Sequence, residues 1–273
     1  MARLVSSLLS RARVRLAAWR AGRIDSPAAA RVAGALGRTL RGELGADERA
    51  WVERIEAKRR ALAGDPTEIV KTDYGAGRRN AHRSADEMYQ GVVSTTTIAR
   101  ACRASKPCFW ATLLFQLVRE FEPLSAVELG TCLGISAAYQ AAAQSLNGNG
   151  GTLMSLEGDP ALAALATDTL GGLGLKTVEV VPGRFLDTLA QVLAEREPVD
   201  YAFIDGHHDG PATVAYFEQF LPHLKPGAVL LFDDIAWPGM RPAWRAIQAS
   251  SAVTLSLDLR EMGLAIVGKP PAC

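Results

Sequence analysis

Four short apolar runs in this 273-residue chain each end on an acidic residue. Uninterrupted apolar runs of this length, separated by helix-like segments, are typical of buried parallel strands in an α/β sheet. Because the carboxyl ends of parallel strands share one edge, and open α/β sheets bind ligands at that edge, these acids are expected to meet at a ligand site. The acids that close the runs are Glu128, Glu157, Asp205 and the pair Asp233 and Asp234.

Composition limits the kind of ligand and the compartment. Hydrophobic residues make up 48% and charged residues 22% of the chain, as in a soluble globular protein with a full core. The formal net charge of +1 argues against a dedicated nucleic-acid binder, whose affinity would depend on many phosphate contacts. The four cysteines form no CxxC pair, which favours reduced thiols in a cytoplasmic protein. No apolar stretch approaches the roughly 20 residues that span a bilayer, so no transmembrane segment is expected.

The N-terminal 24 residues are basic and amphipathic. They contain arginines but no acid before Asp25, and their apolar residues recur near helical spacing. Three interpretations stay open. The helix packs on the domain or on a second subunit of a homodimer, it makes weak contact with a membrane surface, or it is an organellar transit peptide.

The sequence predicts a helical N-terminal extension over residues 1–72 and a larger domain over residues 73–273. Within the extension, Ser26 and Asp47 are expected to begin two further helices. Residues 64–83 contain several glycines and charges and are expected to form a loop or linker.

From residue 125 onward, predicted strands alternate with predicted helices. The last two strands, over residues 253–259 and 264–268, are separated by only four residues, which is too short for a right-handed parallel crossover. They are therefore expected to form an antiparallel hairpin. The predicted fold class is α/β: a doubly wound, Rossmann-like, seven-stranded sheet with its last strand antiparallel, plus the N-terminal helical extension.

The turn after the first of these strands, residues 128–136, reads ExGxxxGxS. Its glycines let the backbone approach a ligand closely, and the following helix offers free N–H groups to a carboxylate or phosphate. It differs from the dinucleotide pattern GxGxxG, because Cys132 stands at the second glycine position. Glycine in such a turn also has a purely steric use. The candidate cofactor-binding residues of this turn are Glu128, Gly130, Thr131, Gly134 and Ser136.

Two more candidate cofactor-binding residues follow later strands. Glu157 ends the second strand, where a carboxylate can accept hydrogen bonds from both hydroxyls of a ribose. The alternatives are a solvated acid or a helix N-cap, and Asp159 fills the capping position better. Gly183 permits a tight turn after the third strand, which either frames an adenine or simply leads into the next helix.

Residues 205–208 read DGHH and contain half of the four histidines. A carboxylate with an imidazole three residues away suits a metal ligand next to a general base, so Asp205 and His208 are the candidate catalytic residues. Asp205, Asp233 and Asp234 would together form an oxygen-rich site for Mg²⁺ or a similar divalent cation. The alternative is that one aspartate of the pair caps the next turn and the other faces water.

These motifs, with the segment LKPGAVLLFDDI at residues 224–235, resemble class I S-adenosylmethionine-dependent methyltransferases. The similarity is closest to the catechol O-methyltransferase-like group and its bacterial relatives, and it covers about residues 106–269. The hairpin ending matches the reversed seventh strand of that fold. The resemblance implies an enzyme that moves a methyl group from S-adenosyl-L-methionine to a small-molecule acceptor, most simply a hydroxyl, with or without help from a divalent cation.

The resemblance also implies roles for individual residues that bind the cofactor. Glu128, Gly130 and Ser136 would hold its methionine end, and Glu157 would bind the ribose hydroxyls. Asp205, at the end of the strand over residues 201–204, is the last candidate cofactor-binding residue.

At the acceptor side, Asp205, Asp233 and Asp234 match the metal-binding acids of metal-dependent O-methyltransferases. His208 falls at the histidine of a DxxH motif proposed as a base in sugar and macrolide O-methyltransferases. The chain departs from the catechol-type enzymes, which carry lysine at the position of His208 and asparagine at that of Asp234.

Two other functions compete with methyl transfer. A nicotinamide-dependent oxidoreductase uses the same architecture, but the missing GxGxxG and the terminal hairpin count against it. A non-catalytic subunit that binds a cofactor is the second alternative, and the intact acidic edge argues against it.

Overall fold

The computed structural model describes residues 2–77, 79 and 83–268, with side chains from residue 8 onward within those ranges. The helices are α1 (Ala2–Ala21), α2 (Pro27–Arg41), α3 (Ala46–Ala63), α4 (Ala85–Gln90), α5 (Ile98–Cys102), α6 (Cys108–Phe121), α7 (Ile135–Asn147), α8 (Pro160–Gly172), α9 (Phe185–Arg196), α10 (Gly210–Phe220) and α11 (Met240–Ala249). The strands are β1 (Glu68–Asp73), β2 (Val92–Thr97), β3 (Ser125–Leu129), β4 (Thr152–Glu157), β5 (Val178–Pro182), β6 (Val199–Ile204), β7 (Leu224–Phe232), β8 (Val253–Asp258) and β9 (Gly263–Val267).

Seven strands form the central sheet in the order β5-β4-β3-β6-β7-β9-β8. β3 to β7 run parallel, and β9 is antiparallel to both of its neighbours, β7 and β8. This confirms the doubly wound α/β sheet with its last strand antiparallel. The chain runs outward from β3 through β4 to β5 and then returns to β6 beside β3, so the strand order reverses between β3 and β6. Open α/β sheets bind ligands at such a reversal, outside the carboxyl ends of the strands.

Side chains of the central strands alternate between two apolar layers, as the two-residue period of a strand requires. On β6, Tyr201 and Phe203 pack into the layer that includes α2, α6 and α7, whereas Ala202 and Ile204 pack into the layer that includes α9, α10 and α11. Both faces of the sheet are therefore covered, which explains why the strands are continuous apolar runs rather than alternating ones.

The basic N-terminal helix α1 packs against α2 through a face of small apolar residues. Val14, Ala17 and Ala21 are buried in the core layer that α2 joins. This face of α1 therefore packs on the domain, which is one of the three interpretations of the N-terminal helix. Leu8 and Trp19 stay exposed, and contact with a second subunit or a membrane surface stays a prediction. In the part of the chain that the structure describes, no helix is both long and apolar enough to cross a bilayer.

An antiparallel hairpin, β1 paired with β2, lies partly where the sequence predicted a loop over residues 64–83. The prediction was wrong for residues 68–73, because the Ile, Val and Thr side chains of this segment favour extended backbone. The boundary predicted after residue 72 also falls inside β1. The hairpin reaches the central sheet: the Thr72 N–H donates to the Asp159 carboxylate, and the Ala76 N–H donates to the His207 carbonyl at 2.6 Å.

Candidate active site

A cleft of about 1330 Å³ lies over the carboxyl ends of β3, β4, β6 and β7, where the strand order reverses. The β1–β2 hairpin and the loop before α6 contribute to its walls. Its surface brings together strand-end acids that are far apart in the sequence, as the sheet topology predicted. These acids are Glu157, Asp205, Asp233 and Asp234.

The loop between β3 and α7 packs closely against the ends of β4 and β6, the two strands that flank β3. Gly130 donates its N–H to the Leu156 carbonyl at 2.9 Å, and a Cβ on Gly130 would lie 2.3 Å from the Asp205 carbonyl oxygen. Its φ of 99° lies in the region that favours glycine. Gly134 instead lets the start of α7 approach α8, where an added Cβ would lie 3.3 Å from Ala166. Gly130 therefore shapes the cleft surface, whereas Gly134 serves helix packing.

Glu157 lies at the end of β4 on the cleft wall. Its two carboxylate oxygens accept hydrogen bonds from the Cys132 N–H at 2.7 Å and the Asp159 N–H at 3.0 Å. Burial raises the pKa of Glu157 to about 7, against the effect of these two hydrogen bonds. The backbone thus orients the carboxylate without fully compensating its burial, which suits an acceptor for hydroxyl groups of a ligand. Asp159 caps α8 by accepting from the Leu162 N–H at 2.7 Å, as predicted.

Gly183 holds the turn after β5 beside Glu157. Its N–H donates to the Glu157 carbonyl at 2.9 Å, and its φ is 135°. The turn carries Phe185 to the cleft, where the ring lies so close to Gly206 that an added Cβ would come within 2.4 Å of it. Gly183 therefore shapes a turn that brings an aromatic ring to the same cleft as Glu157, while its own contact with an adenine stays a prediction.

Glu128 is fully buried beneath the cleft rather than on its surface. Gln140 Nε2 donates to one carboxylate oxygen at 2.8 Å, and the Ser155 hydroxyl donates to the other at 2.5 Å. The Thr131 hydroxyl lies 2.6 Å from that of Ser155, and Ser136 is buried nearby at the start of α7. Burial raises the pKa of Glu128 to about 7, although hydrogen bonds, first that from Ser155, lower it. Contact of Glu128, Thr131 and Ser136 with a cofactor stays a prediction.

The raised pKa of Glu128 predicts a pH-dependent contribution to stability. The carboxyl group of the unfolded chain loses its proton near pH 4.5, whereas the folded protein keeps that proton to about pH 7. As the pH rises between these values, the free energy of unfolding therefore falls, by about 3 kcal/mol for this group. We expect Glu128→Gln, which keeps the shape of the protonated side chain, to remove this part of the pH dependence. Denaturant unfolding at about pH 5 and about pH 8 measures it, and equal pH dependence in both proteins would contradict it.

A lysine lies in the middle of the acidic cluster. Lys106, in the loop before α6, places its ammonium 3.1 Å from an oxygen of Asp205 and donates a hydrogen bond to Asp233. Burial would raise the pKa of Asp233, but the Lys106 charge lowers it below its usual range. Burial and the Asp233 charge raise the pKa of Asp205, and both acids raise the pKa of Lys106 although burial opposes this. Asp233 and Lys106 thus form a buried ion pair with Asp205 beside it.

Asp205, Asp233 and Asp234 are not arranged to bind Mg²⁺ together, although the sequence predicted such a site. The Lys106 ammonium lies between Asp205 and Asp233, in the space that a divalent cation would need, and it would repel a second cation. Asp234 instead lies 3.5 Å from a nitrogen of His208. Within the described residues, no three His, Cys, Asp or Glu side chains are grouped to hold a metal ion. Lys106 was not among the predicted site residues, because a single lysine in a loop forms no motif.

His208 lines the cleft in the loop after β6. Its ring lies against that of Trp237, tilted by 33° with centroids 5.1 Å apart, and its Nδ1 lies 3.5 Å from Asp234 Oδ2. Burial lowers the pKa of His208, which favours a neutral ring that can accept a proton. His207 has a different partner, since its Nδ1 lies 2.7 Å from the Tyr216 hydroxyl. One histidine therefore lies beside the acidic cluster, and the other anchors the loop.

The sheet, its antiparallel last strand and the cleft at the strand reversal define a class I S-adenosylmethionine-dependent methyltransferase fold. A family model described as a methyltransferase domain matches residues 127–235. The matched segment runs from β3 to the end of β7 and contains the glycine turn, Glu157 and His208. Over this segment the chain is similar to methyltransferase domains.

Individual relatives agree with this class. The catechol O-methyltransferase of Niastella koreensis is 35% identical over 115 residues, which cover 41% of this chain and 50% of that protein. The chain thus spans about half the length of this relative. The O-methyltransferase from Bacillus cereus, solved in complex with SAH, is 27% identical with a TM-score of 0.52 and covers 60% of this chain and 82% of that one. Cofactor-bound Rv0187 from MTB, at 21% identity, shares the fold over 90% of this chain and 99% of that one, with a TM-score of 0.54.

Proposed function

We propose that this protein transfers a methyl group from S-adenosyl-L-methionine to a hydroxyl group of a small-molecule acceptor. The observation that carries the proposal is the arrangement around the Gly130 loop. Glu157, a half-buried carboxylate oriented by backbone N–H groups, lies on the β4 side of this loop, and Asp205 lies on its β6 side. One cleft therefore joins a ribose-binding candidate to a cluster that contains an acid, a cation and a histidine.

The cofactor fits the Glu157 side of the cleft. Gly130 lines this part of the cleft with backbone alone, and the following N-terminus of α7 offers N–H groups for a carboxylate. Glu157 would accept hydrogen bonds from the ribose hydroxyls, and Phe185 would pack against the adenine. Gly183 supports this end through its hydrogen bond to the Glu157 carbonyl.

The acceptor would lie on the side of His208 and Trp237. When bound, S-adenosyl-L-methionine supplies an electrophilic methyl group on its sulfonium sulfur. The residues of this chain contribute mainly by holding the acceptor oxygen in line with that methyl group and by excluding water. His208, kept neutral by burial, would accept the proton of the hydroxyl, and the Trp237 ring fixes the orientation of the imidazole.

A binding experiment tests the proposed function. Calorimetric titration of the purified protein with S-adenosylmethionine and S-adenosylhomocysteine is expected to give micromolar affinity for both, whereas NADH is expected not to bind. A screen of hydroxylated aromatic and sugar acceptors for formation of S-adenosylhomocysteine would follow. Tight binding of NADH without the adenosyl ligands would favour the oxidoreductase alternative. Cofactor binding without transfer to any acceptor would favour a non-catalytic subunit.

Removal of the Glu157 carboxylate is predicted to weaken cofactor binding. We expect Glu157→Ala to lose about 1–3 kcal/mol of binding free energy for S-adenosylhomocysteine, because the ribose hydroxyls lose their acceptor. Glu179→Ala is the matched control, since Glu179 lies on the neighbouring strand β5 with an exposed side chain. Equal affinities for the two variants would contradict the ribose assignment.

Assembly and location are part of the same proposal. We expect the protein to be cytoplasmic. We also expect it to form a homodimer through its N-terminal helices, because α1 leaves Leu8, Leu9 and Trp19 exposed. Light scattering would measure the oligomeric state, and a monomer at micromolar concentration would contradict the dimer.

A further inference from the structure

We propose that the Lys106 ammonium takes the place of a divalent cation in the acceptor site and binds the acceptor oxygen during methyl transfer. The inference rests on the proposed function, and it adds a residue and a charge to the reacting site. It is carried by the position of Lys106 between Asp205 and Asp233 and by its place on the cleft surface.

Lys106 meets the two acids at the ends of adjacent strands. Asp205 follows β6 and Asp233 follows β7, and these strands pair directly. The ammonium lies 3.1 Å from Asp205 Oδ2 and is hydrogen-bonded to Asp233, so it fills the point at which the two carboxylates converge. The Lys106 ammonium offsets one of the two carboxylate charges, and a divalent cation could occupy the same point only if Lys106 left it.

The environment of Lys106 suits recognition of an oxygen atom. The side chain is 10% exposed, and it lines the same cleft as His208 and Trp237. An ammonium has three N–H donors. Asp205 and Asp233 direct two of them, which leaves one for an acceptor hydroxyl. Because burial weakens competition from water, a hydrogen bond from this cation to a developing negative oxygen would be strong.

The bonding changes balance without a metal. The acceptor oxygen forms a bond to the methyl carbon, the bond from that carbon to sulfur breaks, and its electron pair stays on sulfur. The hydroxyl proton passes to His208, which is neutral before the step. Lys106 keeps its proton throughout and stabilises the charge that develops on the oxygen.

Manganese binding by the purified full-length protein is the test. We titrate MnCl₂ into EDTA-treated protein and follow free Mn²⁺ by electron paramagnetic resonance. Wild type is expected to show no saturable binding up to about 1 mM, the weak limit of carboxylate cation sites. Lys106→Ala leaves Asp205 and Asp233 without their cation. This variant is therefore expected to gain one Mn²⁺ site, with a Kd at least about tenfold below the 1 mM limit set for wild type. MnCl₂ should also raise the Tm of this variant, by roughly 5 °C.

Activity with an acceptor from the hydroxyl screen separates a reacting role from a structural ion pair. Wild-type turnover is expected to be unchanged by EDTA. Lys106→Ala is expected to lose about 100-fold in turnover, and Mn²⁺ is expected to restore part of it, which a purely structural role would not predict. Lys225→Ala is the control, because Lys225 is 55% exposed and lies 4.0 Å from Asp200, outside the cleft.

Each outcome decides a separate point. Saturable Mn²⁺ binding by wild type, with turnover that EDTA abolishes, would overturn the role of Lys106 while leaving methyl transfer intact. Failure of wild type to bind S-adenosylhomocysteine would overturn the proposed function and the acceptor role with it. If Lys106→Ala does not fold, the wild-type Mn²⁺ titration and EDTA result still decide, and Lys106→Arg, which keeps the charge, provides the second variant.

Discussion

Replacement of His208 by alanine is expected to lower turnover roughly 100- to 10,000-fold, the usual range for loss of a general base. The ring lies in the cleft against Trp237, and burial lowers the pKa of His208, which favours a neutral ring that can accept a proton. Affinity for S-adenosylhomocysteine should change little, because the cofactor is proposed to bind at the Glu157 side. Turnover and calorimetric affinity measured on the same preparation separate the two effects.

The control for His208 is a histidine outside the cleft. His223 lies after α10, where its Nδ1 is 2.6 Å from Glu197, so His223→Ala removes an imidazole from the surface alone. We expect this variant to keep wild-type turnover. If His208→Ala also keeps it, His208 is not the base, and the proton leaves by another route.

The central sheet could be predicted because the pattern of apolar residues along each strand shows whether its two faces are buried. β3, β4, β6 and β7 are apolar on both faces, which only a sheet covered by helices on both sides explains. The short link between β8 and β9 permitted only an antiparallel pair. Once the strands are parallel, the convergence of Glu157 and Asp205 at one edge follows from topology, without knowledge of any side-chain contact.

The parts that the sequence analysis missed depend on contacts between distant segments. Lys106 reaches Asp233 across 127 residues, and no local pattern records that contact. The β1–β2 hairpin is fixed in part by the bond from the Thr72 N–H to Asp159, which already has a local role as a helix cap. When a residue has one role within its own segment and another in a distant segment, the sequence indicates only the first.

The position of Glu128 was open to prediction from strand periodicity. Alternation along β3 places Glu128 on the same face as Ala126, beneath the cleft and among Ser155 and Gln140. Glu128 was expected at the ligand site because it closes an apolar run, whereas the face of the strand on which an acid lies decides whether it reaches the cleft. Glu157, which ends β4 one register step beyond Leu156, lies on the surface of the cleft.

Substitution of Gly130 is expected to disrupt both the fold and the cofactor site. An added Cβ would lie 2.3 Å from the Asp205 carbonyl oxygen, closer than real Cβ contacts come, and the φ of 99° strains any other residue. Relief requires the loop to move away from β6, which would break the hydrogen bond from the Gly130 N–H to the Leu156 carbonyl. We expect Gly130→Ala to lower the free energy of unfolding by about 4 kcal/mol.

The matched control for Gly130 is Gly148, which has a φ of 65° but no atom within 4 Å of an added Cβ. Gly148→Ala carries the backbone strain without the clash, so it should cost only about 1 kcal/mol and leave cofactor affinity unchanged. Denaturant unfolding and titration with S-adenosylhomocysteine measure both variants. Because the Gly130 loop joins the Glu157 side of the cleft to Asp205, Gly130→Ala should also weaken cofactor binding by at least about 100-fold. Wild-type affinity in a folded Gly130→Ala protein would mean that the cofactor does not contact this loop.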